Sequence, residues 1–268
     1  MLKNIFIFLS ISTLIVIGFG FSNYTTGAKR YVQSFVPSRI VEVFAEPSYF
    51  DSPPKYITID SLHYSLHKAS FKTLKSTLKT KYKNAKNNEE KNIVLTESAD
   101  LLFSNLADSL IPYWYGTPWD YNGISQKPGS GQIACGYFVF TLLRDAGVKL
   151  PRIKMSQAAS EQAIKSLVPK EHIKRFSNIP LATFIEKIKT WGNGFYIIGL
   201  DNHVGLYQVT DEESWFIHST VIYPSCVIKE KAETSLALDF SSYRVIGKLS
   251  NNHFLTKKWL FDEFIVLN

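Results

Sequence analysis

The hydrophobic period of this chain changes at Phe195. Upstream, apolar residues recur every three or four positions. Downstream they alternate or run in short blocks: "FYIIGL" (195–200), "HVGLYQV" (203–209), "SWFIHS" (214–219) and "YRVIGKL" (243–249). A helical period puts apolar side chains on one face of a helix, whereas alternation or a short continuous run belongs to a strand. Helices followed by a strand meander predict an α+β domain with an antiparallel sheet. The polar "TDEE" (210–213) between the second and third runs reads as a hairpin turn. With 45% hydrophobic and 14% aromatic residues among 268, the chain can bury a sizeable core, and it shows no internal repeat.

The first 22 residues stand apart. Lys3 precedes the apolar run "IFIFLSISTLIVIGFGF" (5–21), with Gly18, Gly20 and Ser22 where a small-residue cleavage pattern would fall. The run reads as a secretory signal or, if retained, as a membrane anchor, although a full span takes ~20 residues. Either way the remainder is expected to be exported, to a periplasm, a cell envelope or the extracellular space. Residues 23–95 form an N-terminal region, extended at "EPSY" and "DSPPKY" and helical over 61–87, and residues 96–268 form the main domain. A second helix is expected from Thr96, with Ala99, Leu102, Phe103, Leu106 and Leu110 on one side, ending at Pro112.

The net charge of +7 is concentrated in residues 68–91, where eight lysines face only Glu89 and Glu90. Phe71, Leu74, Leu78 and Tyr82 recur there at helical spacing, so the segment reads as an amphipathic helix with a basic outer face. Such a face is either simply solvated or attracted to an anionic surface, membrane lipid or acidic wall polymer. Nucleic acid is not expected for an exported chain without a nucleic-acid motif.

Two residue types can carry chemistry. Cys135 follows the Gly-, Pro- and aromatic-rich loop 113–134 and opens a run with Phe138, Val139, Leu142 and Leu143 at helical spacing; Gly147 stands at the C-cap position. A thiol at a helix N-terminus has its anion favoured by the unpaired N–H groups of the first turn. Cys226 could instead pair with Cys135, since exported chains carry disulfides. A turn centred between Thr210 and Asp211 would place His203 opposite His218, and a shift of two residues would make them diagonal neighbours. Two adjacent imidazoles can serve as base and orienting partner. Zinc is the rival use of such a set, but only three ligands are apparent. His63 and His67, four residues apart, read as surface residues.

The segments "YGTPWDYNG", "IACGYFVFTLLRDAGVKLPRIKMSQ", "NHVGLYQ" and "WFIHST" occur in this order over roughly residues 100–220. Together they resemble the NlpC-type cell-wall cysteine peptidases and amidases. The resemblance implies a papain-like core in which a helix bearing the nucleophile packs on an antiparallel sheet. It makes Cys135 the nucleophile, His203 the base and His218 the polar third member. Trp119 falls at the oxyanion position, where Tyr121 could substitute as a hydroxyl donor. No cofactor or metal is implied, and the partner is a peptidoglycan stem peptide or another peptide. Where that family reads Asp-Cys-Ser, this chain reads Ala134-Cys135-Gly136. The acid and serine that help hold a substrate amine are therefore replaced, which leaves specificity open. Gln132 reads as a loop amide, and Arg152 and Gln157 as structural residues. The expected activity is thiol-dependent amide hydrolysis; a non-catalytic wall-binding module and a thiol acyltransferase are the alternatives.

Overall fold

A computed structural model describes residues 61–267. The leader 1–22 and the extended stretch 23–60 lie outside the described residues. Every element named below belongs to one compact unit, which takes in the described residues other than Val221–Pro224. No helix among the described residues is long and apolar enough to cross a membrane.

Helices come first. Helix α1 (Ser61–Asn84) and α2 (Asn88–Asn105) lead through a π-turn (Leu106–Leu110) into the short α3 (Ile111–Trp114). Helix α2 starts well before the expected Thr96, because "KNNEEKN" (86–92) carries a helix cap. The Asn87 side chain caps the Glu90 N–H at 2.8 Å, and the Glu90 carboxylate accepts the Lys86 N–H at 2.7 Å. After the loop 115–134 come α4 (Cys135–Asp145), α5 (Arg152–Gln157) and α6 (Ser160–Leu167). Gly147, at φ +89°, ends α4; the Val148 N–H returns to Leu143 O at 3.0 Å, as in a Schellman cap.

The second half carries β1 (Ile173–Ser177), α7 (Leu181–Lys189), β2 (Gly194–Leu200), β3 (Val204–Val209), β4 (Ser214–Ser219), β5 (Val227–Lys231), α8 (Leu236–Asp239), β6 (Tyr243–Lys248) and α9 (His253–Phe261). The six strands form one sheet in the order β1-β6-β2-β3-β4-β5, antiparallel throughout. The chain is therefore an α+β protein with an antiparallel sheet. Four strands were expected at β2, β3, β4 and β6; the two additional ones are the edges. "IKRFS" and "VIKEK" carry charge on their outward positions, which blunts an edge but hides the strand signal.

Both faces of the sheet are covered. Phe195, Ile197, Leu206, Ile217 and Val245 share one core with Phe138, Leu142, Ile164 and Leu167 of the helices. Tyr196, Ile198, Tyr207, Phe216 and Ile246 share a second core with Phe184, Ile188 and Leu238. Burial on both faces is why these strands read as nearly continuous apolar runs.

Helix α1 departs from a uniformly basic outer face. Lys75 lies among its apolar positions, 8% exposed, and donates to Gly147 O and Asp262 Oδ1, both at 2.8 Å. Burial pushes its ammonium below the ordinary lysine range, while Asp262 draws it back up. Lys68 pairs at 3.2 Å with Asp145, a buried acid that also accepts from Tyr64 Oη and Arg144 Nε, each at 2.9 Å. Lys72, Lys81, Lys83 and Lys86 are the lysines of α1 and its exit that stay exposed.

One charge cluster ties α6 to the sheet edge. Glu161 accepts from Tyr243 Oη at 2.7 Å, Arg175 Nη2 at 2.9 Å and Lys165 Nζ at 2.8 Å. Hydrogen bonds from Lys165 and Tyr243 pull its carboxyl down to about 2 from 4.5. A depressed carboxylate contributes stability above its unfolded value and loses it as pH falls toward the folded one. Glu161→Gln is expected to cost about 1 kcal/mol at neutral pH, a partly exposed cluster being worth no more. Urea titrations should show that difference shrinking as the pH is lowered from 4.5 toward 2.

Candidate active site

Cys135 is the first residue of α4, preceded by Ala134 in an extended conformation that supplies no side-chain cap. The N–H groups of the first turn therefore remain available at the helix tip. The residues before it are tied to the sheet and to the loop. Ser219 Oγ of β4 donates to Ile133 O at 2.7 Å, the Ile133 N–H bonds Pro118 O at 2.9 Å, and the Ala134 N–H bonds Gly123 O at 2.8 Å. Thr117 and Gly116 exchange backbone hydrogen bonds with Val227 of β5 at 2.9 Å. Arg152 ties the same loop to α4, donating to Ser125 O at 2.7 Å and to Thr141 Oγ1 at 2.7 Å. Gln157 donates to Tyr137 Oη at 3.1 Å.

Position 136 accepts no side chain. A Cβ there would lie 2.3 Å from Ser156 O of α5. The close approach of α5 thus requires glycine at this position.

The two histidines meet, though not as direct partners. Leu206 pairs with Ile217 and Val209 with Ser214, because the Thr210 N–H closes the turn on Glu213 O at 2.9 Å. The turn is centred between Asp211 and Glu212, one residue beyond the centre expected between Thr210 and Asp211, which shifts the pairing by two residues and makes His203 diagonal to His218. A Cβ on Gly205 would lie 2.4 Å from Phe216 Cε2 and 3.0 Å from His218 Cβ, and only glycine leaves that space clear. His203 Nε2 stands 2.8 Å from His218 Nδ1, the rings crossing at 83°. His218 is 1% exposed and lies on the Phe216 ring, centroids 4.0 Å apart.

The line continues to two residues not anticipated in the sequence. His218 Nε2 is 3.0 Å from Glu230 Oε1, which also accepts from Ser235 Oγ at 2.5 Å. Glu230 lies on β5, two residues beyond Ile228, the partner of His218 in the ladder. The signal was the strand itself: once "VIKEK" pairs with β4, its fourth residue falls diagonal to His218. Ser235 precedes α8 and caps it, accepting the Leu238 N–H at 3.3 Å.

The electrostatics reverse one expectation. Cys135 is half-buried, and burial pushes its thiol up rather than down; the backbone N–H groups of Val204, Gly136 and Cys135 itself pull it partly back. Val204 follows His203, so the tip of α4 lies beside the start of β3. Burial, and then the neighbouring His218, push His203 well below the ordinary imidazole range. Thiol and imidazole are both neutral at rest, because the water-poor site penalises charge on either more than the helix tip favours the thiolate.

Trp119 is half-buried and its backbone N–H bonds Ser225 O at 2.9 Å, whereas Tyr121 is 61% exposed. Neither side chain hydrogen-bonds another described residue. Cys135 and Cys226 are free thiols, not a disulfide. Cys226 is buried just ahead of β5, bridged to Pro118, and burial pushes it up to about 11. Among the described residues no three His, Cys, Asp or Glu side chains converge on a metal position. His63 is exposed, and His67 packs on the Tyr113 ring. No family model, curated protein or solved structure matches the chain.

Gly136→Ser, which would supply the serine that NlpC-type enzymes carry, is expected to lower stability by about 1–3 kcal/mol, the usual cost of overpacking. Thermal denaturation of the variant beside wild type measures it.

Proposed function

We propose that this chain is an exported, thiol-dependent amide hydrolase with a papain-like arrangement of the NlpC type, acting on peptidoglycan stem peptides or another peptide amide. The observation that carries the reading is a helix-tip cysteine whose thiol lies beside the Val204 N–H, the residue after His203, whose Nε2 stands 2.8 Å from His218 Nδ1. Cys135 Sγ attacks the amide carbonyl while His203 takes the thiol proton; the carbonyl oxygen becomes an oxyanion. His203 then protonates the departing amine as the C–N bond breaks, leaving a thioacyl-enzyme. A water molecule, deprotonated by the same imidazole, releases the acid and restores the thiol.

Because both groups are neutral at rest, proton transfer and attack are coupled, and His203 works as a general base rather than as a preformed imidazolium. Donors for the oxyanion are the N–H groups at the tip of α4, with the Trp119 indole or the Tyr121 hydroxyl as the side-chain contribution. The exposed lysines of α1 and its exit suit attraction to an anionic wall polymer or lipid surface. Export follows from reading residues 1–22 as a signal or anchor.

A non-catalytic wall-binding module is the second reading, favoured by the upward displacement of the Cys135 thiol. A thiol acyltransferase shares the first step and differs only in the acceptor. Digestion of peptidoglycan by wild type and Cys135→Ala, read by mass spectrometry, separates these. The hydrolase should release fragments that Cys135→Ala does not, and His203→Ala should slow release by about 10²–10⁴-fold, the usual worth of general base catalysis. Identical fragments from wild type and Cys135→Ala would remove Cys135 as the nucleophile. Acyl transfer without hydrolysis would show as a mass gain on an added amine.

A further inference from the structure

We infer that Glu230 is a positioning residue which, acting through His218, decides which nitrogen of His203 keeps its lone pair. Its catalytic meaning rests on the hydrolase reading, but the deduction comes from counting protons along the line. An ionised carboxylate has none to give. Ser235 Oγ, which already accepts the Leu238 N–H, directs its own proton to Glu230 Oε1. The other partner of that oxygen, His218 Nε2 at 3.0 Å, must therefore be an N–H.

Where His218 is neutral it carries only that one hydrogen, so its Nδ1 is bare and can only accept. His203 Nε2, 2.8 Å away, must supply the hydrogen. That leaves the lone pair of His203 on Nδ1, which makes no hydrogen bond to any described residue. The base is thus presented on the one nitrogen not engaged by the sheet. Polarity runs in a single direction, from a carboxylate that lies across β4 from the ring it controls.

Burial keeps the direction from being lost. The His218 side chain is 1% and the Glu230 side chain 16% exposed, and Ser235 is fully buried, so water has little access to these bonds. Once His203 takes the thiol proton, the same line places a carboxylate behind the new imidazolium, two hydrogen bonds away. An amide at position 230 would present either an oxygen or an NH₂ to His218, and the line could then run in both directions.

The test uses the full chain, labelled with nitrogen-15 histidine, as wild type and as Glu230→Gln. NMR reports which ring nitrogens carry hydrogen at neutral pH, and iodoacetamide reports the reactivity of Cys135 against Cys226. Wild type should show Nε2–H on both His203 and His218. Glu230→Gln should show mixed tautomers and about tenfold slower alkylation of Cys135, equivalent to about one pKa unit, with Cys226 unchanged. A wild-type Nδ1–H on either ring, or a Glu230→Gln protein with unaltered tautomers and alkylation, would overturn the inference. If the variant does not fold, the wild-type spectrum decides alone. Neither readout needs a substrate. The stated tautomers without turnover would therefore sink the hydrolase and leave the positioning role, and turnover with reversed tautomers would do the opposite.

Discussion

His218 sits within a sheet covered on both faces, at 1% exposure, so neither ring nitrogen can turn to water. A buried polar group left without a partner costs about 1–3 kcal/mol, and this ring has two. The fold answers from both neighbouring strands. His203 at the start of β3 meets one nitrogen, and Glu230 on β5 meets the other. The rest of the candidate site follows from that requirement. Gly205 has no side chain because Phe216 and the base of His218 fill the space, and Ser235 caps α8 from a position where its hydroxyl can also donate to Glu230.

The thiol is held beside Val204 by a different set of forces. Loop 115–134 carries no regular structure, yet it is tied to β4 through Ser219, to β5 through Thr117 and Gly116, and to α4 through Arg152. These bonds hold the residues before Cys135 against the sheet, and α5 then closes over Gly136. The closeness that brings Cys135 beside Val204 also removes water from it. For that reason the helix tip does not produce a resting thiolate: desolvation outweighs the nearby N–H groups.

Behind the candidate site, α1 serves the far end of α4. Lys75 donates to Gly147 O at the end of α4 and Lys68 meets Asp145 in its last turn. An acid at a helix C-terminus opposes the helix dipole, and cations placed there offset it. Part of the positive charge that marks residues 68–91 is therefore consumed inside the protein, and the exposed remainder is smaller than the composition suggests.

What the sequence alone determined is whatever rests on local period and local chemistry. The change of period at Phe195, the helix opening at Cys135, the cap at Gly147 and the hairpin joining β3 to β4 all depend on residues within a few positions of one another. Edge strands β1 and β5 were illegible because charged outward positions erase the apolar signal that marks a strand. With β5 unseen, Glu230 had no visible connection to His218. Lys75 looked like another outward lysine, because nothing nearby in sequence announces Gly147 or Asp262. The two-residue shift in the hairpin, the role of Glu230 and the upward push on the Cys135 thiol were decided only by tertiary structure. Each depends on which groups distant in sequence are brought together and how much water they exclude, and neither quantity is written in a local pattern.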